Sequence, residues 1–413
     1  MNSPPTDRPH RREALLRLMA GLTLGLLALG LVACDDEGLV AVQTEDDLFT
    51  SYVALGNSIT AGFQSDGINL QTQDESYAVL LAGQMGTRFD TPALNMPGCP
   101  PPLVNPLTGQ RVGDGEPNTC AIRSAPVPPV VNNVAVPGAA TLDILSNLDE
   151  DSRPNPLTTL ILGGRTQLEA AADADPTFAS VWIGNNDVLG AAISGVVTNE
   201  NVTPVPAFEE RLNQVLDGLE AAGTEGGVLV GVVDVTLMPH LSLGVVYWLV
   251  DQEGGFPETF EVHESCAPAE LGGLGEETLV PFGYGIFQLL GQALAGIPVT
   301  LNCAEAQQVL SGQEIQTLMA TVAGYNQALE AQAQARGWAY LDPNPAFVQL
   351  RQEGLIPPFP NLAEPTQLFG PIFSLDGVHP SALTHRLVTN ELVEAINTQY
   401  GTGLQPVAVP QLN

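Results

Sequence analysis

The stretch Tyr52-Val53-Ala54-Leu55-Gly56-Asn57-Ser58-Ile59-Thr60 decides how the rest of the chain is read. Its first five residues carry no charge and read as a buried strand. The change to Asn, Ser and Thr marks where the chain leaves the sheet. Working outward, the same rhythm recurs. Apolar runs at 131–136, 179–183, 227–235 and 338–341 alternate with helical stretches at 77–85, from Thr141, and at 207–222, 313–336 and 381–400. Continuous apolar strands separated by helices predict a parallel sheet covered on both faces. The expected fold is a three-layer α/β/α sandwich, flavodoxin-like, with five parallel strands in the order 2-1-3-4-5. Ligands of such sheets sit beyond the carboxyl ends of the strands, so the residues after each apolar run carry the functional question.

Composition sets the limits. The chain has 413 residues, 44% of them hydrophobic, enough for one domain with a large core. Two regions break the rhythm: 97–130 is Pro-rich, and 237–311 is Gly-rich, apolar and aromatic. Both read as insertions in a single domain over 51–400, with 401–413 as a tail. The net charge is −33 and the chain contains no Lys. Such a surface repels nucleic acid and anionic lipid headgroups, because both need clustered cations. A salt-rich habitat and an acidic exported protein are equally compatible with it.

Residues 1–33 read as an export signal. Arg8, Arg11, Arg12 and Arg17 precede an apolar run at 18–33 that is short for a spanning helix. The run ends in Leu31-Val32-Ala33-Cys34, which resembles the bacterial lipobox and implies that Cys34 is lipidated. Residues 34–50 then form an acidic tether. The expectation is an exported lipoprotein, membrane-anchored and facing the periplasm or the cell exterior. Cys99, Cys120, Cys266 and Cys303 remain, and an oxidising compartment favours disulfides over metal ligation. Of the three possible pairings, sequence proximity favours Cys99–Cys120 and Cys266–Cys303. There is no CxxC spacing of the zinc type.

Four polar blocks fall at one edge of the expected sheet: Gly56-Asn57-Ser58, Asn133 to Gly138, Gly184-Asn185-Asn186-Asp187 and Asp376-Gly377-Val378-His379-Pro380. Together they hold the parts of nucleophilic acyl chemistry. A Ser hydroxyl needs a base, His is the base suited to neutral pH, and a carboxylate fixes its tautomer. Asp376 and His379 are three apart, so one turn can bring them into hydrogen-bond reach. The backbone N–H groups of Ser58 and Gly138 and the side-chain amide of Asn186 can serve a developing oxyanion. An α/β-hydrolase elbow would need Gly where Thr60 stands.

The four blocks resemble the SGNH (GDSL-type) hydrolase superfamily, named for its Ser, Gly, Asn and His, and in particular its exported bacterial members with long insertions. The match spans roughly 51–400, with Ser58, Gly138, Asn186, Asp376 and His379 at the corresponding positions. One departure is Asn57, where the family has Asp before the nucleophile; Asn makes similar local hydrogen bonds. The resemblance implies a carboxylic-ester hydrolase acting on a lipid-like, aryl or acetyl ester through an acyl-enzyme on Ser58, without metal or organic cofactor. An acyltransferase would use the same site, and a silent surface-binding lipoprotein would keep the fold without the chemistry. The expected partners are an ester substrate and, through the anchor, a membrane; the oligomeric state stays open. His240, His263 and His385 read as structural. Asp187 reads either as a support for the Asn186 loop or as a turn residue. Tyr247, Trp248, Phe256, Phe282, Tyr284 and Phe287 read as the core of the second insertion rather than an acyl pocket.

Overall fold

Tyr52–Gly56, Phe178–Trp182 and Gly226–Val230 are buried along their whole length, as strands covered on both faces must be. In the computed structural model, which describes residues 46–124, 128–305 and 307–410, these are β1, β2 and β3, and Ala339–Leu341 is β4. They lie side by side in that order, all parallel, with Tyr52 opposite Phe178, Phe178 opposite Gly226 and Ala339 opposite Val228. Helices Tyr77–Met85 and Ala382–Tyr400 pack together on one face; Val205–Ala221 and Gly312–Arg336 pack together on the other. The chain thus has the expected α/β fold of three layers.

Among the described residues the sheet has four strands where five were expected. The expected strand at 131–136 is reduced to a single parallel bridge, Ala54 to Asn133, on the free side of β1. Ala54 N donates to Asn132 O, Val134 N to Ala54 O and Val136 N to Gly56 O. The flanking side chains explain the shortfall. Asn132 Nδ2 donates to Tyr52 O, the acceptor that Asn132 N would use in a regular ladder, while Asn132 N itself donates to Asp90 O. Pro137 then ends the segment. The helix expected from Thr141 is likewise a single 3₁₀ turn, Thr141–Ile144.

Both insertions carry small sheets of their own. Leu103–Asn105 pairs with Gln110–Arg111 in the first; Leu241–Leu243 pairs with Leu279–Pro281, and Phe260–Val262 with Val299–Leu301, in the second. Cys99–Cys120 and Cys266–Cys303 are disulfides. The ordered fold starts before residue 51: Phe49 is 1% exposed and meets Phe178 edge to face, so 46–50 belong to the domain and not to a tether. Cys34 and the rest of 1–45 lie outside the described residues. Among the described residues no helix is long and apolar enough to cross a membrane.

A histidine joins the two helices of one face. Tyr77 N, at the start of its helix, donates to Nδ1 of His385 at 3.2 Å. His385 is fully buried, and burial lowers its pKa to about 3. Protonation would remove the acceptor and place a charge in the core. Between that value and the unfolded value of about 6.5 the unfolded chain binds the extra proton, so stability falls as pH falls through this window. Replacing His385 by Gln is expected to flatten the acid limb of an unfolding-free-energy-versus-pH curve by up to about 1.4 kcal/mol per pH unit. An unchanged limb would show that His385 does not titrate with unfolding.

Candidate active site

The site begins where β1 ends. A Cβ on Gly56 would fall 2.4 Å from Thr60 Oγ1 and 2.5 Å from Trp182 O, so only Gly allows this close approach. Buried Gln167 holds the same residue from the side: Gly56 N donates to its Oε1 and its Nε2 donates to Gly56 O, both at 2.9 Å. Asn57 follows as a helix cap, with Oδ1 accepting from Ile59 N at 3.0 Å. Asn therefore makes the local turn bond that an Asp would make. Ser58 opens the short helix Ser58–Ala61 and is 6% exposed.

More than 300 residues later, a turn delivers the imidazole. His379 Nε2 lies 2.9 Å from Ser58 Oγ, and His379 Nδ1 lies 2.8 Å from Asp376 Oδ2. A carboxylate can only accept, so Nδ1 carries the proton and Nε2 is left to accept from the Ser hydroxyl. Asp376 Oδ1 accepts from Val378 N and His379 N at 2.8 Å each, and from Ser374 Oγ at 3.2 Å. Burial alone would raise the Asp376 carboxyl. The charge of His379 and these hydrogen bonds outweigh it and hold the group well below the usual carboxylate range. Phe63 packs against the imidazole, with ring centroids 4.9 Å apart.

The loops that carry the expected oxyanion donors are fixed by local hydrogen bonds. Gly138 has φ +86°, a conformation suited to Gly, and Asn155 Nδ2 pins its turn by donating to Pro137 O at 2.8 Å. Among the described residues neither Ser58 N nor Gly138 N donates to a protein acceptor. Asn186 Nδ2 donates to Ala139 O at 2.9 Å, which fixes the amide and leaves its second hydrogen free. Asp187 ties the two loops together, its Oδ2 accepting from Thr141 N and Thr141 Oγ1 at 3.0 and 2.9 Å. Of its two expected roles, support of the Asn186 loop is the one the structure contains.

Ser58, Asn186 and His379 line a pocket walled otherwise by apolar groups, among them Ile59, Leu189, Val233, Met238, Phe347 and Phe373. Its volume is about 30 Å³. None of the six aromatic residues singled out in the second insertion lines it. Tyr247 and Phe256 stack with each other and against Phe359 instead, as core. Among the described residues no group of three or more His, Cys, Asp and Glu side chains is arranged to hold a metal ion.

The sequence profile described as GDSL-like Lipase/Acylhydrolase matches residues 52–392. The chain belongs to this family. It is accordingly a carboxylic-ester hydrolase. Of the four blocks that carried the resemblance, those of Ser58, Asn186 and His379 line the pocket, whereas Gly138 is not among its lining residues. No curated protein matches the sequence. The solved structures that the chain resembles at low similarity include Axe2, an acetylxylan esterase from Geobacillus stearothermophilus, at 12% identity over 88% of this chain and 98% of that one, TM-score 0.36. Another is LAE5, an alpha/beta hydrolase enzyme from the metagenome of Lake Arreo, Spain, at 13% identity over 85% and 96%, TM-score 0.37. Likeness at that level says nothing of this chain's substrate.

Two supports of the catalytic-type turn had no signal in the sequence. The 64–67 loop clamps it from one side: Asp66 N donates to Asp376 Oδ2 at 2.7 Å, and Ser65 N to Ser374 Oγ at 2.8 Å. His240, from the second insertion, clamps it from the other. Its backbone N donates to Gly377 O at 3.1 Å, and its ring Nδ1 lies 3.0 Å from Asp376 O. A carbonyl only accepts, so Nδ1 bears the proton; burial keeps the ring's pKa low and the ring neutral. Loss of one such bond costs about 1 kcal/mol. His240→Ala is therefore expected to lower kcat of ester hydrolysis by up to about tenfold. His240→Asn, whose amide can donate to the same carbonyl, should restore most of it. Equal loss in both variants would point to packing alone.

Proposed function

We propose that Ser58 is the nucleophile of an acyl-enzyme mechanism, with His379 as base and Asp376 holding the imidazole. The observation that carries this reading is the continuous hydrogen-bond chain Asp376–His379–Ser58, which ends beside a pocket next to unpaired N–H groups. His379 takes the Ser58 proton as Oγ attacks the ester carbonyl. Ser58 N, Gly138 N and Asn186 Nδ2 hold the oxyanion of the tetrahedral intermediate. The imidazolium then protonates the leaving alcohol, and the neutral ring activates the water that releases the acid.

The acyl group proposed is short. A pocket of about 30 Å³ walled by apolar side chains suits acetyl better than a fatty chain in this conformation. On a panel of p-nitrophenyl esters, kcat/KM is expected to fall about tenfold or more from acetate to octanoate, since each misfit methylene costs at least about 1 kcal/mol. Rising rates with chain length would favour the lipid-like substrate instead. Ser58→Ala should lower kcat by at least about a thousandfold. Activity surviving that change would identify another nucleophile.

We also propose that the protein is exported and anchored through Cys34; the lipobox-like Leu31-Val32-Ala33-Cys34 supports this. Cys34→Ser should move the protein from the membrane fraction to the soluble fraction of a bacterial host. Membrane retention of that variant would count against lipidation.

A further inference from the structure

The distribution of positive charge singles out one cavity. The described residues contain nine Arg and no Lys. Arg88, Arg111, Arg165 and Arg336 form ion pairs with carboxylates. Arg123, Arg351 and Arg386 donate to backbone carbonyls. The guanidinium groups of Arg153 and Arg211 do neither, and both line a cavity of about 380 Å³. In a chain with 46 acidic residues against 13 basic ones, two Arg that line one cavity without a carboxylate in ion-pair contact stand out; the buried carboxylates of Asp143 and Asp187 are the charges that act on them. The two Arg stay without an ion pair although Glu150, Asp151 and Glu200 line the same space.

Two further observations tie the cavity to a ligand of the esterase. Asn186 lines both this cavity and the Ser58 pocket, so the two spaces adjoin at the proposed oxyanion donor. Asp187, which also lines the cavity and is 2% exposed, has its Oδ2 occupied by Thr141, whereas its buried Oδ1 has no partner within 3.5 Å, the Thr203 hydroxyl on the same cavity acting on the carboxylate from farther off. A buried carboxylate oxygen without a donor is costly unless a hydroxyl or a water reaches it. The Ser58 pocket is small and apolar; this space is more than ten times larger and rimmed by charge.

We propose that this cavity receives the alcohol portion of the ester, and that the alcohol is polyhydroxylated and carries a carboxylate, as a sugar acid does. Arg153 and Arg211 hold the carboxylate, since planar guanidinium groups match it in shape and charge. Asp187 Oδ1 accepts a hydroxyl. Glu150, Asp151 and Glu200, which line the same space, accept further hydroxyls. The proposal deepens the reading of Ser58 as nucleophile and rests on it for the direction of the ester.

The test compares two esters that differ only in the carboxylate: mono-O-acetylated methyl glucuronoside and the matching mono-O-acetylated methyl glucoside, both with the full chain. The acidic ester is expected to have the higher kcat/KM, by about tenfold or more at low salt, with the ratio shrinking as NaCl screens the pair. Arg153→Gln combined with Arg211→Gln should bring the ratio to about one. Arg153→Glu, at an exposed position that the core does not depend on, should bring it below one. A wild-type ratio at or below one, or a ratio that neither variant moves, would overturn the proposal. Calorimetric binding of methyl glucuronoside and methyl glucoside to the Ser58→Ala variant decides the cavity independently of turnover. Tighter binding of the acid, lost in the double Arg variant, supports it even if no ester is hydrolysed, which would sink the esterase chemistry alone. Equal binding of the two sugars would refute it.

Discussion

The carboxylate of Asp376 accepts five hydrogen bonds: from Ser374 Oγ, Val378 N and His379 N on Oδ1, and from Asp66 N and His379 Nδ1 on Oδ2. Among the described residues no other group ties so many parts of the site together. Three of the bonds fold the 374–379 turn on itself and one fixes the imidazole. The fifth reaches back some 310 residues to the loop that follows the Ser58 helix. A buried charge is costly unless it is paired and hydrogen-bonded, so the turn is held in the one arrangement that satisfies it. The position of His379 against Ser58 follows from that constraint.

The remaining elements serve the same end by different means. The sheet supplies rigid strand ends; Gly56 and the loop after β2 leave it at neighbouring positions, because β1 and β2 run parallel and in register. Gln167 and Asn57 shape the first loop, Asn155 the second, Asp187 the third. The second insertion contributes through His240, which reaches the Asp376–Gly377 peptides, and through Met238 on the pocket wall. An insertion stapled by Cys266–Cys303 is thus part of the site's support as well as an outer layer.

Much of this was legible in the amino-acid order, for stated reasons. The apolar runs at 52–56 and 179–183 must be buried, and burial on both faces implies parallel strands. Ser58, Gly138, Asn186, Asp376 and His379 stand in short blocks whose residue types serve one chemistry. The missing strand at 131–136 was not legible, because an apolar run does not reveal that Asn132 uses its side chain on the Tyr52 carbonyl. The clamps were not legible either. Ser65, Asp66, Gln167 and His240 are ordinary polar residues, and what matters is contact across more than a hundred positions, which no spacing encodes. The unpaired state of Arg153 and Arg211 is likewise a property of the fold and not of their neighbours in sequence.

The most direct measurement of the central claim is a crystal structure of the protein after reaction with diethyl p-nitrophenyl phosphate, whose phosphoryl group mimics the tetrahedral intermediate. The account predicts phosphorus bonded to Ser58 Oγ, with the phosphoryl oxygen within hydrogen-bond distance of Ser58 N, Gly138 N and Asn186 Nδ2, and His379 Nε2 facing the leaving-group side. Phosphorus on another side chain, or a phosphoryl oxygen turned away from those donors, would contradict it.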